Sequence, residues 1–447
     1  MLSLTACPDN SGKSRFTGKT LKHILFFFLL LTQICFAQWY QQNSGTTKNL
    51  NAVHFVDANN GCAVGDSGTI IHTTNAGVSW ETQTSGTTNG LSDIQFIDAN
   101  TGWAVGSSGI ILKTTNGGAE WVLQAIGDSL ILNAICFIND SIGWVVGWSH
   151  NGSIGYIPII LKTANGGINW IFQLAPSGWP INDVYFIDAN IGFIAGGMEC
   201  GDGGDGVILK TTNGGDIWVE QTAQSSICWY GISFSDEQNG IIVGNRRAAL
   251  AGAGIIFRTT DGGINWLLAF EEPMAGANDI AINSVTFLDF SHAWAVEGPP
   301  SYYPAPGKIL FSSDAGINWF SQGEFQNSLQ SVCFSNSSTG WVVGQSGIIL
   351  QTTNGGVTFT DNELPKPTDF ILEQNYPNPF NPSTTIKFQI PEQSFVTIKV
   401  YDVLGNEIAT LVNEYKPAGT YEVEFNTSSI NHIPSSGIYF YQLKAGS

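Results

Sequence analysis

The side chains of this chain that could take part in recognition or catalysis gather in four stretches. Residues 148–158 carry Trp148, His150 and Tyr156, and residues 197–206 carry Asp202 and Asp205. Residues 245–254 carry Arg246 and Arg247, and residues 297–307 carry Tyr302 and Tyr303. Trp179, Trp229 and Tyr230 fall in connections nearby. Aromatic faces beside a few charges suit a glycan or peptide surface, because rings bury large areas and charged groups orient the ligand. These aromatic residues, with His150, Arg246 and Arg247, form the expected ligand-binding set.

Other chemistries fit less well. Gly201-Asp202-Gly203-Gly204-Asp205-Gly206 offers carboxylate oxygens to a calcium ion, but lacks the length and closing Glu of an EF-hand. A solvated Gly-rich turn is the simpler reading. Beyond residue 37 the cysteines are Cys62, Cys136, Cys200, Cys228 and Cys333, with no spacing that suggests zinc. Cys136 and Cys333 each precede a Phe at the same point of a repeated pattern, which reads as small apolar packing. Cys200 and Cys228 are expected on one face of neighbouring repeats, where a disulfide and two free thiols both stay open. His54, His72, His150, His292 and His432 are scattered, so they suggest neither a metal cluster nor a dyad. Glycoside hydrolysis needs two carboxylates across a cleft, and the acids mostly sit at turns such as Asp57, Asp98 and Asp188. No catalytic residue is assigned, and no cofactor or metal is required.

What positions these residues is an octet. Thr114-Thr115-Asn116-Gly117-Gly118-Ala119-Glu120-Trp121 recurs from Thr73 to Trp80, Thr163 to Trp170, Thr211 to Trp218, Thr259 to Trp266, Ser312 to Trp319 and Thr352 to Phe359. A hydroxyl comes first, Asn or Asp third, Gly fifth and an aromatic eighth. Asn, Asp and hydroxyl side chains hydrogen-bond the backbone two residues on, and Gly supplies a positive φ. The aromatic can then cover the hairpin. Repetition at this interval is the mark of a repeat architecture.

Between octets the pattern is constant. An apolar strand ends in Phe, as at Phe55, Phe96 and Phe137, with counterparts at Phe186, Phe234, Phe287 and Phe334. A turn, a short strand such as Gly102-Trp103-Ala104-Val105-Gly106 and a third strand lead into the octet, and a fourth begins at its aromatic. Four strands per unit predict an all-β chain whose residues 38–364 form a seven-bladed β-propeller. Octet turns and first-to-second turns occupy one face; the four uneven stretches lie on the other. Lengthened loops on a rigid scaffold are where binding usually resides. Trp39-Tyr40-Gln41-Gln42 resembles a fourth strand with no blade before it, and is expected to complete the last blade.

Lys13, Arg15, Lys19 and Lys22 precede the apolar run Ile24 to Leu31, and Cys35-Phe36-Ala37 has the small residues of a cleavage site. Residues 1–37 therefore read as a signal peptide cut between Ala37 and Gln38. The polar stretch before Lys19 is long for such a leader and leaves room for a start downstream of Met1. No later run is long and unbroken enough to span a membrane. The formal charge is −19, with 36 acids against 17 Lys and Arg, which opposes nucleic acid or anionic lipid as a partner.

The octets are similar to the Asp-box, or BNR repeat, and residues 38–364 resemble the seven-bladed photosystem II assembly and stability factor family. That role relies on a basic, arginine-bearing surface, whereas this ring is acidic. Sialidases are also Asp-box propellers, and the resemblance implies three separated arginines that hold a carboxylate. Here Arg246 and Arg247 are adjacent, and Arg258 takes the place of Lys113, Lys162 and Lys210 in other repeats. A sialidase is disfavoured.

Pro365-Lys366-Pro367 opens a linker, residues 365–369. Beyond it stand Asn375-Tyr376-Pro377-Asn378-Pro379-Phe380-Asn381-Pro382, Val400-Tyr401-Asp402-Val403-Leu404-Gly405, Pro417-Ala418-Gly419-Thr420-Tyr421 and Ser436-Gly437-Ile438-Tyr439-Phe440. Alternation such as Thr397-Ile398-Lys399-Val400 predicts a small antiparallel β domain. These motifs are similar to the type A C-terminal sorting domain of the type IX, or Por, secretion system. The resemblance implies that residues 370–447 form an immunoglobulin-like sandwich, engage the type IX machinery and route the chain through the periplasm to the outside or the outer-membrane surface. Members of that family continue past the Tyr439–Leu443 strand into another strand ending in basic residues, which makes truncation at Ser447 the expectation. The function expected is a monomeric secreted or surface-displayed binding or adhesion module for a glycan or protein ligand. The alternative is an extracellular glycosidase acting on polysaccharide.

Overall fold

Each octet closes on itself through the same bonds. Thr73 Oγ1 donates to Asn75 Oδ1 (2.9 Å) and accepts the N–H groups of Asn75 (3.3 Å) and Gly77 (2.9 Å), while Asn75 Oδ1 accepts the N–H of Ser79 (3.0 Å). The same four bonds recur from Thr114, Thr163, Thr211, Thr259 and Ser312. The left-handed backbone extends over two residues, because the fourth position also has positive φ, including Ala76 and Ala315 at 61°. These alanines adopt a conformation that an L side chain disfavours, and the surrounding bonds hold them there.

The computed structural model describes residues 39–124, 127, 129–152, 155–176, 178–197, 206–221, 226–248, 251–272, 280–298, 306–356, 370–376, 378, 380, 383–391, 394–416, 419–426 and 438–445. The chain divides into two compact units, Met1–Thr358 and Phe359–Ser447. The first holds seven four-stranded antiparallel sheets, the blades of a propeller. Their innermost strands are Leu50–Phe55, Leu91–Phe96, Leu130–Phe137, Ile181–Phe186, Ile227–Phe234, Ala281–Phe287 and Leu329–Phe334. The seventh sheet takes its outer strand from the other end of the ring, with Tyr40–Gln42 paired to Ile349–Gln351. Trp39 then meets Phe334 edge-on at 5.8 Å, as Trp80, Trp121, Trp170, Trp218 and Trp266 meet the inner Phe of their own blades at 5.8–6.0 Å.

Aromatic rings also join blade to blade. Trp341 stacks on Phe55 at 3.4 Å, Trp103 on Phe137 at 3.7 Å, Trp144 on Phe186 at 3.4 Å, Phe193 on Phe234 at 4.0 Å and Trp294 on Phe334 at 3.7 Å. The Gly opening the second strand makes room for this belt: a Cβ on Gly61, Gly102, Gly143, Gly192, Gly240 or Gly340 would lie 2.4–2.7 Å from the Phe ring of its own blade.

Every innermost strand carries a bulge at its second position, at Asn51, Ser92, Asn133, Asn182, Tyr230, Asn283 and Gln330. Four of these residues reach the next blade: Asn51 Nδ2 donates to Leu91 O, Asn133 to Ile181 O, Asn182 to Trp229 O and Asn283 to Leu329 O, at 2.7–2.8 Å. Further along, Asp93 Oδ2 accepts from Ile135 N–H (2.9 Å), Asp183 Oδ2 from Ile232 N–H (2.8 Å) and Ser331 Oγ from Val53 N–H (3.3 Å). The last of these runs from the seventh blade to the first.

The second unit is a sandwich of two three-stranded sheets. One contains Ile371–Leu372, Ser383–Ile390 and Gly419–Asn426; the other contains Glu407–Lys416, Ser394–Tyr401 and Phe440–Ala445. Phe388, Ile390, Val396, Ile398 and Val412 are buried together in its core. The Tyr441 hydroxyl donates to Glu373 O (2.6 Å) and accepts from Asn375 N–H (2.9 Å), so the Asn375 motif is tied to the last described strand. Among the described residues no helix is long and apolar enough to cross a membrane.

Trp39→Ala is expected to destabilise the ring by about 3 kcal/mol, the usual cost of truncating a buried Trp. A lowered urea midpoint of the full chain would read this out; an unchanged midpoint would mean that the ring does not depend on its clasp.

Candidate functional site

On the face opposite the octets the blades differ. In blades 1 and 7 the second-to-third connection is one tight turn, Asp66–Gly68 or Gln345–Gly347, and Ser107-Ser108-Gly109 fills the same place in blade 2. In blades 3 and 5 the two strands run on as nine-residue partners: Gly143–Asn151 with Gly155–Thr163, and Gly240–Ala248 with Ala251–Thr259. Two of the expected expansions are thus projecting hairpins.

The blade 3 hairpin carries an aromatic row. His150 pairs directly with Tyr156, and Trp148 lies two residues back on the same side. Tyr156 meets Trp148 at 5.5 Å and His150 at 5.3 Å, both edge-on. His150 is exposed, while Trp148 and Tyr156 are half-buried. Trp179 is also half-buried and leans on the core shared by blades 3 and 4.

Blades 5 and 6 supply charge. Arg246 Nη1 donates to both carboxylate oxygens of Glu271 at 2.8 Å. Lys308 Nζ bonds Glu272 and lies 3.9 Å from Glu297 and 3.7 Å from Glu324. Glu297 is 2% exposed, and its Oε2 has no hydrogen-bond partner. Burial pushes its carboxyl up to about 7, with Glu272 and Glu324 adding to the rise and Lys308 opposing it. It can therefore hold and release a proton near neutrality. The sequence signals for this cluster were the adjacent acids Glu271-Glu272 and a strand ending in Glu297, which loop-by-loop reading passed over.

Trp229 is a correction. It is fully buried, edge-on to Phe257 at 5.4 Å, and offers no contact surface. It occupies the slot before the bulge, where other blades place Leu50, Leu91, Leu132, Ile181, Ile282 and Leu329. Tyr230 is the bulged residue itself and half-buried. Cys228 is disulfide-bonded, whereas Cys62, Cys136 and Cys333 are free thiols. The side chain of Arg247 and all of Ala37, Gln38, Cys200, Asp202, Asp205, Tyr302 and Tyr303 lie outside the described residues. Among the described residues no group of His, Cys, Asp and Glu is arranged to hold a metal ion.

Sequence reasoning also missed Asp93 and Asp183, acids in the middle of inner strands. Burial raises Asp93 to about 6 and Asp183 to about 7; for Asp183 the charge of Asp93 adds to the rise, while backbone N–H donors oppose it in both.

Residues 374–447 match the family described as Secretion system C-terminal sorting domain, and residues 78–176 match Photosynthesis system II assembly factor YCF48. No curated protein matches the chain. Among solved structures it is similar to YCF48 bound to D1 peptide, with 18% identity, TM-score 0.54, and coverage of 72% of this chain and 96% of the other. YCF48 from Cyanidioschyzon merolae has 20% identity and TM-score 0.53, with 71% and 99% covered. The GH74 xyloglucanase from Xanthomonas campestris has 13% identity and TM-score 0.53, with 71% of this chain but 54% of the enzyme covered. At these identities the likeness is one of fold. The sorting domain marks the protein for secretion or display at the cell surface.

Both aspartates have folded values above the ordinary 3.8, so their stabilisation is present below that pH and is lost as pH rises through about 6 and about 7. Asp183→Asn is expected to raise the thermal midpoint at pH 8 and flatten its fall between pH 5 and pH 8. Parallel wild-type and variant curves would show that Asp183 does not carry this dependence.

Proposed function

We propose that the protein is an exported binding or adhesion module whose ring holds a glycan or peptide on the face bearing the blade 3 and blade 5 hairpins. The row Trp148, Tyr156 and His150 carries this reading: three adjoining rings on a projecting ribbon present stacking surface to solvent on a rigid base. Arg246, held by Glu271, adds an oriented guanidinium at a second projecting hairpin. Trp179, Tyr230, Arg247, Tyr302 and Tyr303 complete the proposed surface, and Trp229 supports it from beneath. A leader over residues 1–37, a ring over 38–364, a linker over 365–369 and a sorting domain over 370–447 form the proposed division of the chain. A Cys200–Cys228 bridge would staple this face, and the oxidising conditions met on export favour it.

One observation favours extracellular hydrolysis of polysaccharide as a second reading. Glu297 stays protonated to about 7 beside Lys308, which also contacts Glu272 and Glu324. An acid held neutral near other carboxylates is the pairing that glycoside cleavage uses. The likeness to a GH74 xyloglucanase is compatible with either reading, since unrelated functions share propellers.

The full chain should be screened on a glycan array and against an outer-envelope extract. Trp148→Ala with Tyr156→Ala, and separately Arg246→Ala, are each expected to weaken a hit at least tenfold, as central aromatic and Arg contacts do, with little change in melting temperature. Unchanged affinity in both variants would refute the proposed face. Release of reducing sugar from a polysaccharide, abolished by Glu297→Gln, would instead establish the second reading.

A further inference from the structure

The aromatic belt that joins the blades is interrupted at one place. At the second position of each second strand stand Trp103, Trp144, Phe193, Trp294 and Trp341, each stacked on the inner Phe of the following blade. Blade 5 fills the slot with Ile241, packed with Phe287 in one core cluster. In blade 1 the slot is held by Cys62, a far smaller side chain. The ring that should receive a stack is Phe96, which among the described residues has an edge contact with Trp121 and no stacked partner. A pocket enclosing about 190 Å³, open on one side, occupies this place, with Asn60, Cys62, His54, His72, Phe96 and Ala99 in its wall.

A hydrogen-bond acceptor at the same interface is matched to the missing ring. Elsewhere the belt indoles donate to the carbonyl of the fourth octet residue: Trp341 to Ala76 O (3.2 Å), Trp103 to Gly166 O (3.3 Å), Trp144 to Gly214 O (3.1 Å) and Trp294 to Gly355 O (3.1 Å). Each of these oxygens also takes a second donor, from Gln42, Lys113, Gln173 or Gln322. Opposite Phe193, which has no N–H, Gly262 O takes Lys210 Nζ alone. Gly117 O, the counterpart facing Cys62, accepts Gln83 Nε2 (3.3 Å) and no indole.

We infer that the interface between blades 1 and 2 is a binding slot for a planar aromatic group bearing an N–H or O–H donor, an indole or a phenol. The ring stacks on Phe96 as Trp341 stacks on Phe55, and its donor reaches Gly117 O. The slot has no charge to satisfy at neutral pH: burial lowers His54 to about 4, lowers His72, and pushes the Cys62 thiol up. His54 Nδ1 already accepts the N–H of Phe96 (3.4 Å), which fixes its ring at the wall. A neutral aromatic fits such a wall better than an ion. The slot lies at the octet end of the ring and does not depend on the face proposed above. The same chemistry is available in a free small molecule or in a Trp or Tyr side chain of a polypeptide.

The test uses the full chain, with indole as one probe and an acetylated, amidated pentapeptide with a central Trp as the other, beside its Ala counterpart. Binding is followed by the imidazole proton resonances of His54 and His72 and by calorimetry. Indole is expected to shift both resonances saturably, Cys62→Trp to weaken it at least tenfold by filling the slot internally, and Cys62→Ala to leave it intact. A Trp peptide that binds where the Ala peptide does not assigns the slot to a polypeptide; indole binding without peptide binding assigns it to a small molecule. The absence of any shift with either probe in wild type and Cys62→Ala overturns the inference, even if Cys62→Trp fails to fold. Equal indole affinity in a folded Cys62→Trp overturns it as well.

Discussion

An innermost propeller strand has a hydrogen-bonding partner on one side only. Its other edge presents N–H and C=O groups that must find partners without a neighbouring strand. Each blade here solves this with side chains of the adjacent blade: Asn at the bulge donates to a carbonyl, and Asp or Ser further along accepts an N–H. The bulge is what allows it, because the extra residue is free of the ladder and can turn toward its neighbour. Since every blade completes the next, the contacts are satisfied all round only when the ring closes, and Ser331 to Val53 is the closing bond. The clasp by Tyr40–Gln42 secures the same seam at the outer edge of the seventh blade.

This arrangement separates stability from recognition. Octet turns, the aromatic belt and inner-edge bonds lie within the ring and at one face, so they do not draw on the second-to-third connections of the other face. Those connections can be a three-residue turn at Asp66–Gly68 or a projecting ribbon at Gly143–Thr163 without disturbing a blade. The same separation explains why fold likeness to both YCF48 and a GH74 enzyme leaves the activity open. Function resides in loops that the fold does not specify.

The belt shows how a repeat protein can acquire a feature at one interface. Six interfaces are filled by an aromatic ring or Ile241, and the seventh has Cys62 between His54 and His72. Such a change is tolerable because the remaining contacts around Phe96, including Trp121 and the Gln83 bridge to Gly117, stay in place. The buried acids Asp93 and Asp183 are held by the same redundancy, each anchored to backbone N–H groups on its own and the following blade.

The sequence alone determined the octet turn, the number of blades, the clasp and the presence of a sorting domain. These were legible because their chemistry is local: the octet bonds span two or four residues, and repetition makes a weak turn signal decisive. The burial of Trp229, the opening beside Cys62, the proton affinity of Glu297 and the inner-edge bonding were decided by the tertiary structure. Their partners lie in another strand or in the next blade, 40 residues away for Asn51 and Leu91 and 49 for Asp183 and Ile232. A residue's own position in the repeat shows which slot it fills. Whether that slot is packed, open or charged depends on the residue opposite it, and only the closed ring brings the two together.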